Sequence, residues 1–230
     1  MQTFITTFLL LLAALYTVLC ILFPYIDVQH VKKVKAGKHW FHPIMPMLCF
    51  NGRHAWRVRF TPSCKYDIGS EDQFDINKLC GVCYFNPVKW LIFCFKQKRL
   101  VDINKIDSAR WGWRNIKNSD YIELLCYCYI DGIKWERRAF LLKVDVLQEI
   151  TLKRSSKGYF FRILGHANCS VPHNNPWGIP LYQNCYFGGN QTAPQNMTIH
   201  INKIPVIDSE LFVYEDAVEP IKRKNRLSAV

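Results

Sequence analysis

The stretch ARWGWRN alternates arginine with tryptophan, and these residue types could bind a charged or sugar-like ligand. In a β-strand successive side chains point to opposite faces, so Trp111 and Trp113 would share one face while Arg110 and Arg114 share the other. Guanidinium groups bind anions through forked hydrogen bonds, and indole rings stack on sugars. The pattern predicts a site for an acidic or neutral glycan at Arg110, Arg114 and Trp111. The competing interpretation is ordinary core tryptophans with solvated arginines.

Asn190 is a second candidate ligand-binding position, in the stretch NCYFGGNQTAPQNMTIHI. The glycine pair before Asn190 is typical of a tight turn, and the alternating residues after Pro194 are typical of a strand that closes the domain. This turn belongs to a long connection, residues 165–198, that holds four of the eleven prolines. Long connections of β-sandwiches commonly carry function, so we expect Asn190 to lie on an exposed loop beside the ligand.

One acidic segment could hold a metal ion, because four carboxylates fall within nine residues: Asp67, Glu71, Asp72 and Asp75. Carboxylates this close repel one another unless a cation lies among them. Calcium binds about six to eight oxygen ligands, often from loops, and is the cofactor that this cluster would hold. The spacing does not match an EF-hand loop. A solvated acidic turn and a salt-bridge cluster with Lys65 and Lys78 are the alternatives.

Motifs of the familiar enzyme classes are absent from the sequence. There is no H-E-x-x-H, G-x-S-x-G, P-loop or dinucleotide-binding glycine pattern. Cys80 and Cys83 form a C-x-x-C pair, but a zinc site would need a second pair, and Cys126 and Cys128 have an unusual spacing. Buried strand cysteines are the favoured interpretation. These observations exclude the familiar enzyme classes without excluding every enzyme.

The composition indicates a folded and basic chain. It has 230 residues, half of them hydrophobic, and a formal net charge of +12. A chain of this length and hydrophobicity can form one sizeable core. The basic excess raises the affinity for anionic partners such as acidic sugars, phosphates or acidic lipids. The sequence does not favour nucleic acid as the partner.

The first 23 residues are uncharged and strongly apolar. Residues 4–23 would span about 30 Å as a helix, which matches the hydrocarbon core of a bilayer. No basic residue precedes the run and no clear small-residue cleavage site follows it, so a secretory signal peptide is the weaker alternative. We expect an N-terminal hydrophobic helix that binds the membrane, and a membrane-anchored location. Lysines just after the segment favour a cytoplasmic domain, but the sequence leaves the side of the membrane open.

Alternating polar and apolar residues dominate the chain after position 40. The strongest pattern runs from Tyr121 to Phe140 around Asp131 and Gly132, which suit a two-residue hairpin turn. The apolar run from Val88 to Phe95 is too short to span a bilayer. We expect a buried central strand there, with a membrane-resting hairpin as the alternative. The predicted fold class is all-β, an antiparallel and jelly-roll-like β-sandwich.

The sandwich region resembles concanavalin-type jelly rolls in outline. The resemblance rests on YFGG followed by AP and an alternating strand, and on a GW strand followed by a long tyrosine-rich hairpin. That family covers lectins, glycan-binding modules, glycoside hydrolases and lyases. The Glu-x-Asp-x-x-Glu pattern of its laminarinase-like hydrolases is absent, so the resemblance implies a fold but no catalytic residue. The chain is also similar to proteins of gut Bacteroidales and their phages, which implies no activity.

Four parts are predicted along the chain: an anchor or signal segment at 1–24, a basic connector at 25–40, the sandwich at 41–215 and a basic tail at 216–230. These features favour a membrane-anchored binding module for carbohydrate or another surface polymer. The alternatives are a structural or interaction protein of a bacterial or phage envelope, and a glycan-cleaving enzyme. An aromatic platform without carboxylates would favour binding, and two carboxylates about 5–10 Å apart across a groove would favour cleavage. A flat, filled face would favour the structural role.

Overall fold

A computed structural model describes residues 31–42, 52–166, 168–173 and 178–204, with all side chains in these ranges except those at 104, 138 and 139. The predicted anchor at 1–24 and the predicted basic tail at 216–230 lie outside the described residues. A strand at Val31–Val34 falls within the range that the sequence predicts as a connector.

Eleven strands and one α-helix form the described part of the chain. The strands are β1 (Val31–Val34), β2 (Arg53–Phe60), β3 (Asn77–Phe85), β4 (Asp107–Asn115), β5 (Tyr121–Ile130), β6 (Ile133–Lys143), β7 (Gln148–Arg154), β8 (Gly158–Ile163), β9 (Cys169–Pro172), β10 (Ile179–Gln183) and β11 (Met197–Ile204). The helix α1 is Pro87–Gln97, and short 3-10 turns lie at Pro62–Cys64, Glu71–Phe74 and Ile103–Lys105.

The strands form two antiparallel sheets. The six-stranded sheet has the order β1-β11-β2-β7-β8-β9, and the five-stranded sheet has the order β10-β3-β4-β5-β6. Every neighbouring pair in both sheets is antiparallel. One hydrophobic core draws residues from both sheets. The prediction of an all-β, antiparallel two-sheet sandwich is therefore confirmed.

Aromatic side chains join the two sheets across the core. Trp111 and Trp113, both on β4, are fully buried. The Trp111 ring packs edge to face on Phe161, with 5.0 Å between the ring centroids. The centroids of the Trp113 and Phe60 rings are 5.2 Å apart. Phe60 and Phe161 belong to the six-stranded sheet, so the tryptophans of β4 fill the space between the layers. Paired aromatic rings contribute about 0.5–1.5 kcal/mol beyond the area they bury.

The hairpin between β5 and β6 turns at Asp131 and Gly132, the two residues that the sequence indicates. Both have positive φ angles, +52° and +78°, as a two-residue turn of this kind requires. The turn is tied to the segment before β4, because the Gly132 N–H donates to the Ile106 carbonyl at 3.2 Å.

The apolar run predicted as a buried strand forms the helix α1, so that prediction is wrong. The helix begins where the Asn86 side chain accepts a hydrogen bond from the Lys89 N–H, with Pro87 in its first turn. It ends where Lys98 adopts a left-handed conformation. Periodicity alone does not distinguish a strand from a helix over so short an apolar run, and the capping residues favour the helix here.

The predicted membrane-anchored location is also wrong. None of the helices in the described ranges is long and apolar enough to cross a membrane. The α-helix α1 has 11 residues and is therefore about 16 Å long, roughly half the thickness of a bilayer's hydrocarbon core. The predicted N-terminal helix lies outside the described residues.

Truncation of Trp113 should destabilise the fold strongly. Replacing this fully buried ring with alanine leaves a cavity between the sheets, so Trp113→Ala should lower the free energy of unfolding by about 3–5 kcal/mol. Trp113→Phe is the matched control, because it keeps a ring and removes an indole N–H that has no hydrogen-bond partner among the described residues. Urea unfolding measures both variants. A loss below about 1 kcal/mol for Trp113→Ala would contradict the assigned core.

Candidate ligand-binding face

One face of the five-stranded sheet points away from the core. On it, Arg110 of β4 is paired directly with Gly81 of β3 and with Tyr127 of β5. Side chains of directly paired residues lie on the same side of a sheet, so Arg110 and Tyr127 are neighbours. The next residue, Trp111, points into the core. We call the side that carries Arg110 the outer face.

Arg110 is a buried cation that forms no ion pair with another described residue. Only 9% of its surface is exposed, and its Nε has no hydrogen-bond partner among the described residues. None of the ion pairs between described residues includes it. Burial lowers the pKa of the guanidinium, and the thiol of Cys83, the hydroxyl of Tyr127 and the carboxylate of Asp102 act in the opposite direction. Arginine nevertheless stays charged in proteins, so the fold holds a desolvated positive charge here.

Lys78 of β3 is the second cation on the outer face. Its Nζ donates to the carbonyl oxygens of Ile76 at 2.7 Å and Gly188 at 3.3 Å, and lies 5.1 Å from the centre of the Tyr127 ring. Burial and, after it, the positive charge of Arg110 lower the pKa of Lys78 to about 8. Lys78 therefore carries a charge at neutral pH but holds its proton less tightly than an ordinary lysine.

Aromatic rings continue the outer face beyond β3. Tyr186 is bridged to Lys78 on one side and to Trp40 on the other. The rings of Trp40 and Tyr186 meet edge to face with 4.8 Å between centroids, and Lys78 Nζ lies 5.9 Å from the Tyr186 ring. Trp40 keeps 45% of its surface exposed. We call this set the aromatic–cationic strip: Trp40, Tyr186, Lys78, Arg110 and Tyr127.

The aromatic–cationic strip combines two kinds of recognition chemistry. Arg110 and Lys78 can donate charge-assisted hydrogen bonds to a carboxylate, sulfate or phosphate. Trp40 offers an exposed ring that can cover the apolar side of a sugar. These groups lie side by side on one sheet, so a single ligand can contact both kinds.

Arg114, the other predicted arginine, is already paired. It forms an ion pair with Glu123, its direct neighbour on β5, and Glu123 is almost completely buried. The guanidinium also donates to the Phe74 carbonyl at 3.2 Å and so links β4 to the 3-10 turn at Glu71–Phe74. In the described structure Arg114 neutralises a buried carboxylate, whereas Arg110 neutralises none.

Trp111 and Asn190 lie in different surroundings. The Trp111 ring is fully buried among core residues and has no surface on the outer face. Asn190 is exposed, two residues after Gly188, whose carbonyl accepts a hydrogen bond from Lys78. The loop that carries Asn190 therefore lies beside the aromatic–cationic strip, while Trp111 supports the strand from the other side.

Three of the four carboxylates predicted to bind calcium are engaged separately. Asp67 pairs with Lys117 at 2.8 Å, while Asp72 accepts from the Gln191 side chain at 3.0 Å and Asp75 from the Gly189 N–H at 3.2 Å. Glu71 is exposed. Among the described residues no group of three or more His, Cys, Asp or Glu side chains could hold a metal ion. The acidic segment therefore fastens neighbouring loops, and its carboxylates do not surround one cation.

Two carboxylates of the hairpin between β5 and β6 are also paired. Glu123 is bound by Arg114, and Asp131 is bound by Lys89, whose Nζ also lies 2.5 Å from the buried Asp107 carboxylate. Burial raises the pKa of Asp107, and the Lys89 ammonium opposes that effect. These ion pairs hold the hairpin and α1 against β4, which is a structural role.

Sequence reasoning missed four residues of the strip. Trp40 falls in the range predicted as a connector, and Lys78 is predicted only as a partner of acidic residues. Tyr186 belongs to the YFGG stretch and Tyr127 to the alternating hairpin pattern, and neither is predicted to bind a ligand. One signal was present, because Tyr186 alternates with the fully buried Phe187 and must point away from the core. Nothing in the sequence indicates that Trp40 lies beside Tyr186, because 146 positions separate them.

No family model and no curated protein matches the chain. Among solved structures it is similar to the SPRY domain of human HERC1, with 11% identity, TM-score 0.37, and coverage of 78% of this chain and 92% of that one. It is also similar to a pseudo beta-1,3-glucanase of Mycobacterium tuberculosis, with 12% identity, TM-score 0.43, and coverage of 75% and 72%. A Bacillus licheniformis beta-glucanase has 6% identity, TM-score 0.38, and coverage of 68% and 66%. The two antiparallel sheets of the described residues agree with the concanavalin-like resemblance of the sequence.

The coupling between Arg110 and Lys78 can be measured directly. Arg110→Met removes a neighbouring positive charge, so the pKa of Lys78 should rise from about 8 towards 10.5 and stay below it because burial remains. Side-chain NMR of the lysine ammonium groups follows the titration. Lys157→Met, which removes an exposed lysine from the hairpin between β7 and β8, should leave Lys78 unchanged. An unchanged pKa in Arg110→Met would show that the two cations are not neighbours.

Proposed function

We propose that the protein is a binding module whose ligand is an acidic carbohydrate or a similar anionic polymer, held on the aromatic–cationic strip. The observation that carries the proposal is Arg110, a guanidinium nine-tenths buried that forms no ion pair in the described structure and whose Nε has no hydrogen-bond partner there. Burying a charge without a partner is costly, and an anionic group of a ligand would remove that cost.

Lys78 adds a second argument from electrostatics. Its pKa in the folded protein, about 8, lies below the ordinary value of 10.5, so the folded state resists protonation of this side chain. Lys78 therefore reduces stability as the pH falls from about 10.5, and the full reduction is present below about 8. At neutral pH both cations of the strip disfavour folding, which is typical of residues kept for binding rather than for stability.

The aromatic part of the strip supports a sugar-containing ligand over a bare anion. Trp40 is exposed, and the ring of His39 stacks on the other ring of the pair, Tyr186, at 5.0 Å between centroids. A rigid aromatic platform next to cations suits an acidic sugar, whose ring has an apolar face and whose carboxylate or sulfate carries the charge. A neutral sugar would use the platform and leave Arg110 without a partner.

The alternative roles have less support. A glycan-cleaving enzyme needs two free carboxylates facing each other across the ligand. Glu123 and Asp131, two carboxylates on and beside the hairpin between β5 and β6, are each held in an ion pair. A purely structural module has no use for a desolvated arginine, because an apolar side chain of similar size would give a more stable sheet.

Arg110→Met separates binding from stability. The variant should bind acidic polysaccharides at least tenfold more weakly, since a hydrogen bond to a charged group contributes about 1.5–3 kcal/mol. Its melting temperature should equal or exceed that of the parent, because methionine fills the same space without an unpaired charge. Calorimetric titration with polygalacturonate, chondroitin sulfate and neutral dextran, together with thermal unfolding, measures both effects.

Arg114→Met is the matched control on the same strand. It removes the guanidinium that pairs with the buried Glu123 carboxylate, so it should lower the free energy of unfolding on the order of 3–5 kcal/mol. Lys157→Met controls for the loss of one positive charge elsewhere. Unchanged binding of all three polysaccharides by Arg110→Met would overturn the proposal, and so would a large loss of stability in that variant.

The dependence of polysaccharide binding on pH and on salt tests the same site independently. Binding of the acidic polysaccharide should weaken as the pH rises through about 8, because Lys78 loses its charge there. It should also weaken with added salt, since the screening length falls from about 10 Å at 0.1 M to about 3 Å at 1 M. Lys78→Met should remove the pH dependence between about 7 and 9 and keep the salt dependence due to Arg110. Binding that strengthens above pH 8 would contradict the proposal.

A further inference from the structure

The helix α1 exposes an apolar face to solvent. Its inner side packs on the sandwich, where the Trp90 ring contacts Phe85 and its indole N–H donates to the Val101 carbonyl at 2.7 Å. The outer side carries large apolar residues at helical spacing, each between 48% and 79% exposed: Val88, Leu91, Ile92 and Phe95. Leu100, just beyond the helix, is 80% exposed. A contiguous exposed apolar patch of this kind marks an interaction surface.

The C-terminal end of the same helix is basic. Lys96, Lys98 and Arg99 are all exposed. None of the three forms an ion pair within the described part of the chain. A complementary occupant must therefore present apolar side chains to the helix and negative charges to its end.

The chain contains one segment with this composition. Residues 207–219 read IDSELFVYEDAVE and carry five of the chain's 18 acidic residues, with no lysine or arginine among them. Apolar residues alternate with these acids, including the pair Leu211 and Phe212. In a chain with a net charge of +12, this concentration of negative charge is the exception. The segment lies outside the described residues.

The distance from the end of β11 to α1 is short enough for the chain after Ile204 to cover. Strand β11 ends at Ile204, and its Lys203 ammonium lies 4.4 Å from the ring of Tyr182 on β10. Ile179 lies three residues before Tyr182 on β10, which is about 10 Å away along the strand. It is paired with Phe85, whose ring contacts the ring of Trp90 on α1. Five extended residues after Ile204 span about 17 Å. Residues 210–219 can therefore reach the outer side of α1.

We propose that residues 207–219 of the same chain dock on the apolar outer face of α1. Leu211 and Phe212 pack against the exposed stripe that ends at Phe95, and the carboxylates of the segment pair with Lys96, Lys98 and Arg99. The segment thus covers a surface that is otherwise apolar and neutralises its basic end. This inference does not depend on the glycan ligand, because α1 is not part of the aromatic–cationic strip.

Two measurements on the full chain test the docking. A zero-length carbodiimide cross-linker joins lysines to carboxylates in direct contact, and mass spectrometry should find Lys96 or Lys98 linked to carboxylates of 208–219 within monomers. Hydrogen exchange of peptides covering 87–97 should accelerate at least fivefold in the double variant Leu211→Ser, Phe212→Ser, because packing on the helix is lost. Leu227→Ser, a similar change outside the acidic segment, should leave that exchange unchanged.

A variant of α1 itself controls for effects that the tail substitutions have on the tail alone. Phe95→Ser alters a largely exposed side chain, so the fold should persist, and the cross-links from 208–219 to the helix should fall at least fivefold. Unchanged exchange of 87–97 in the tail variant overturns the proposal. Cross-links found only between molecules, in a dimer, would assign the face to a second copy instead. Equal binding of phosphatidylcholine–phosphatidylserine vesicles by the parent and the tail variant would assign it to an anionic lipid surface, and would equally overturn the docking.

Discussion

The burial of two tryptophans from one strand is the constraint on which the rest of the structure depends. Trp111 and Trp113 fill the space between the sheets, so β4 cannot shift by one residue without moving both rings into solvent. That register places Arg110 opposite Tyr127 and Arg114 opposite Glu123. The core therefore determines which arginine meets a carboxylate and which does not, although neither arginine belongs to the core.

The two arginines of β4 differ in the partners that the sheet gives them. Arg114 lies next to Glu123 and neutralises a carboxylate that would be costly to bury alone. Arg110 lies between Gly81, which has no side chain to offer, and Tyr127, whose ring already faces the Lys78 ammonium. A sheet selected for stability alone would place an apolar residue at position 110. Retaining a desolvated guanidinium there, beside a lysine with a lowered pKa, is a local conflict of the kind found at functional sites.

The features that depend on local alternation of polar and apolar residues could be predicted from the sequence. Strand alternation led to the antiparallel sandwich, and the Asp131–Gly132 turn was evident from its residue types. The helix α1 was missed because an eight-residue apolar run suits a strand as well as a helix, and the decisive cap came from Asn86 outside the run. The contact of Trp40 with Tyr186 and Lys78 could not be predicted, since it joins segments far apart in the chain through single bridges that have no period. The partners of the acidic cluster, such as Lys117, could not be predicted either, because they are distant in sequence.

The helix α1 leaves an apolar face and a basic end exposed, and another segment of the chain has the composition to cover both. A helix of 11 residues is marginal by itself, and here its caps and the packing of Trp90 hold it in place. Its exposed stripe adds nothing to that stability and favours association with other surfaces. The same chain concentrates acidic residues in 207–219, where apolar side chains accompany them. With that segment on α1, the basic end of the helix is neutralised and ceases to compete for anions. An anionic ligand would then meet fewer competing cations, and Lys78 and Arg110 would stay available to it on the outer face.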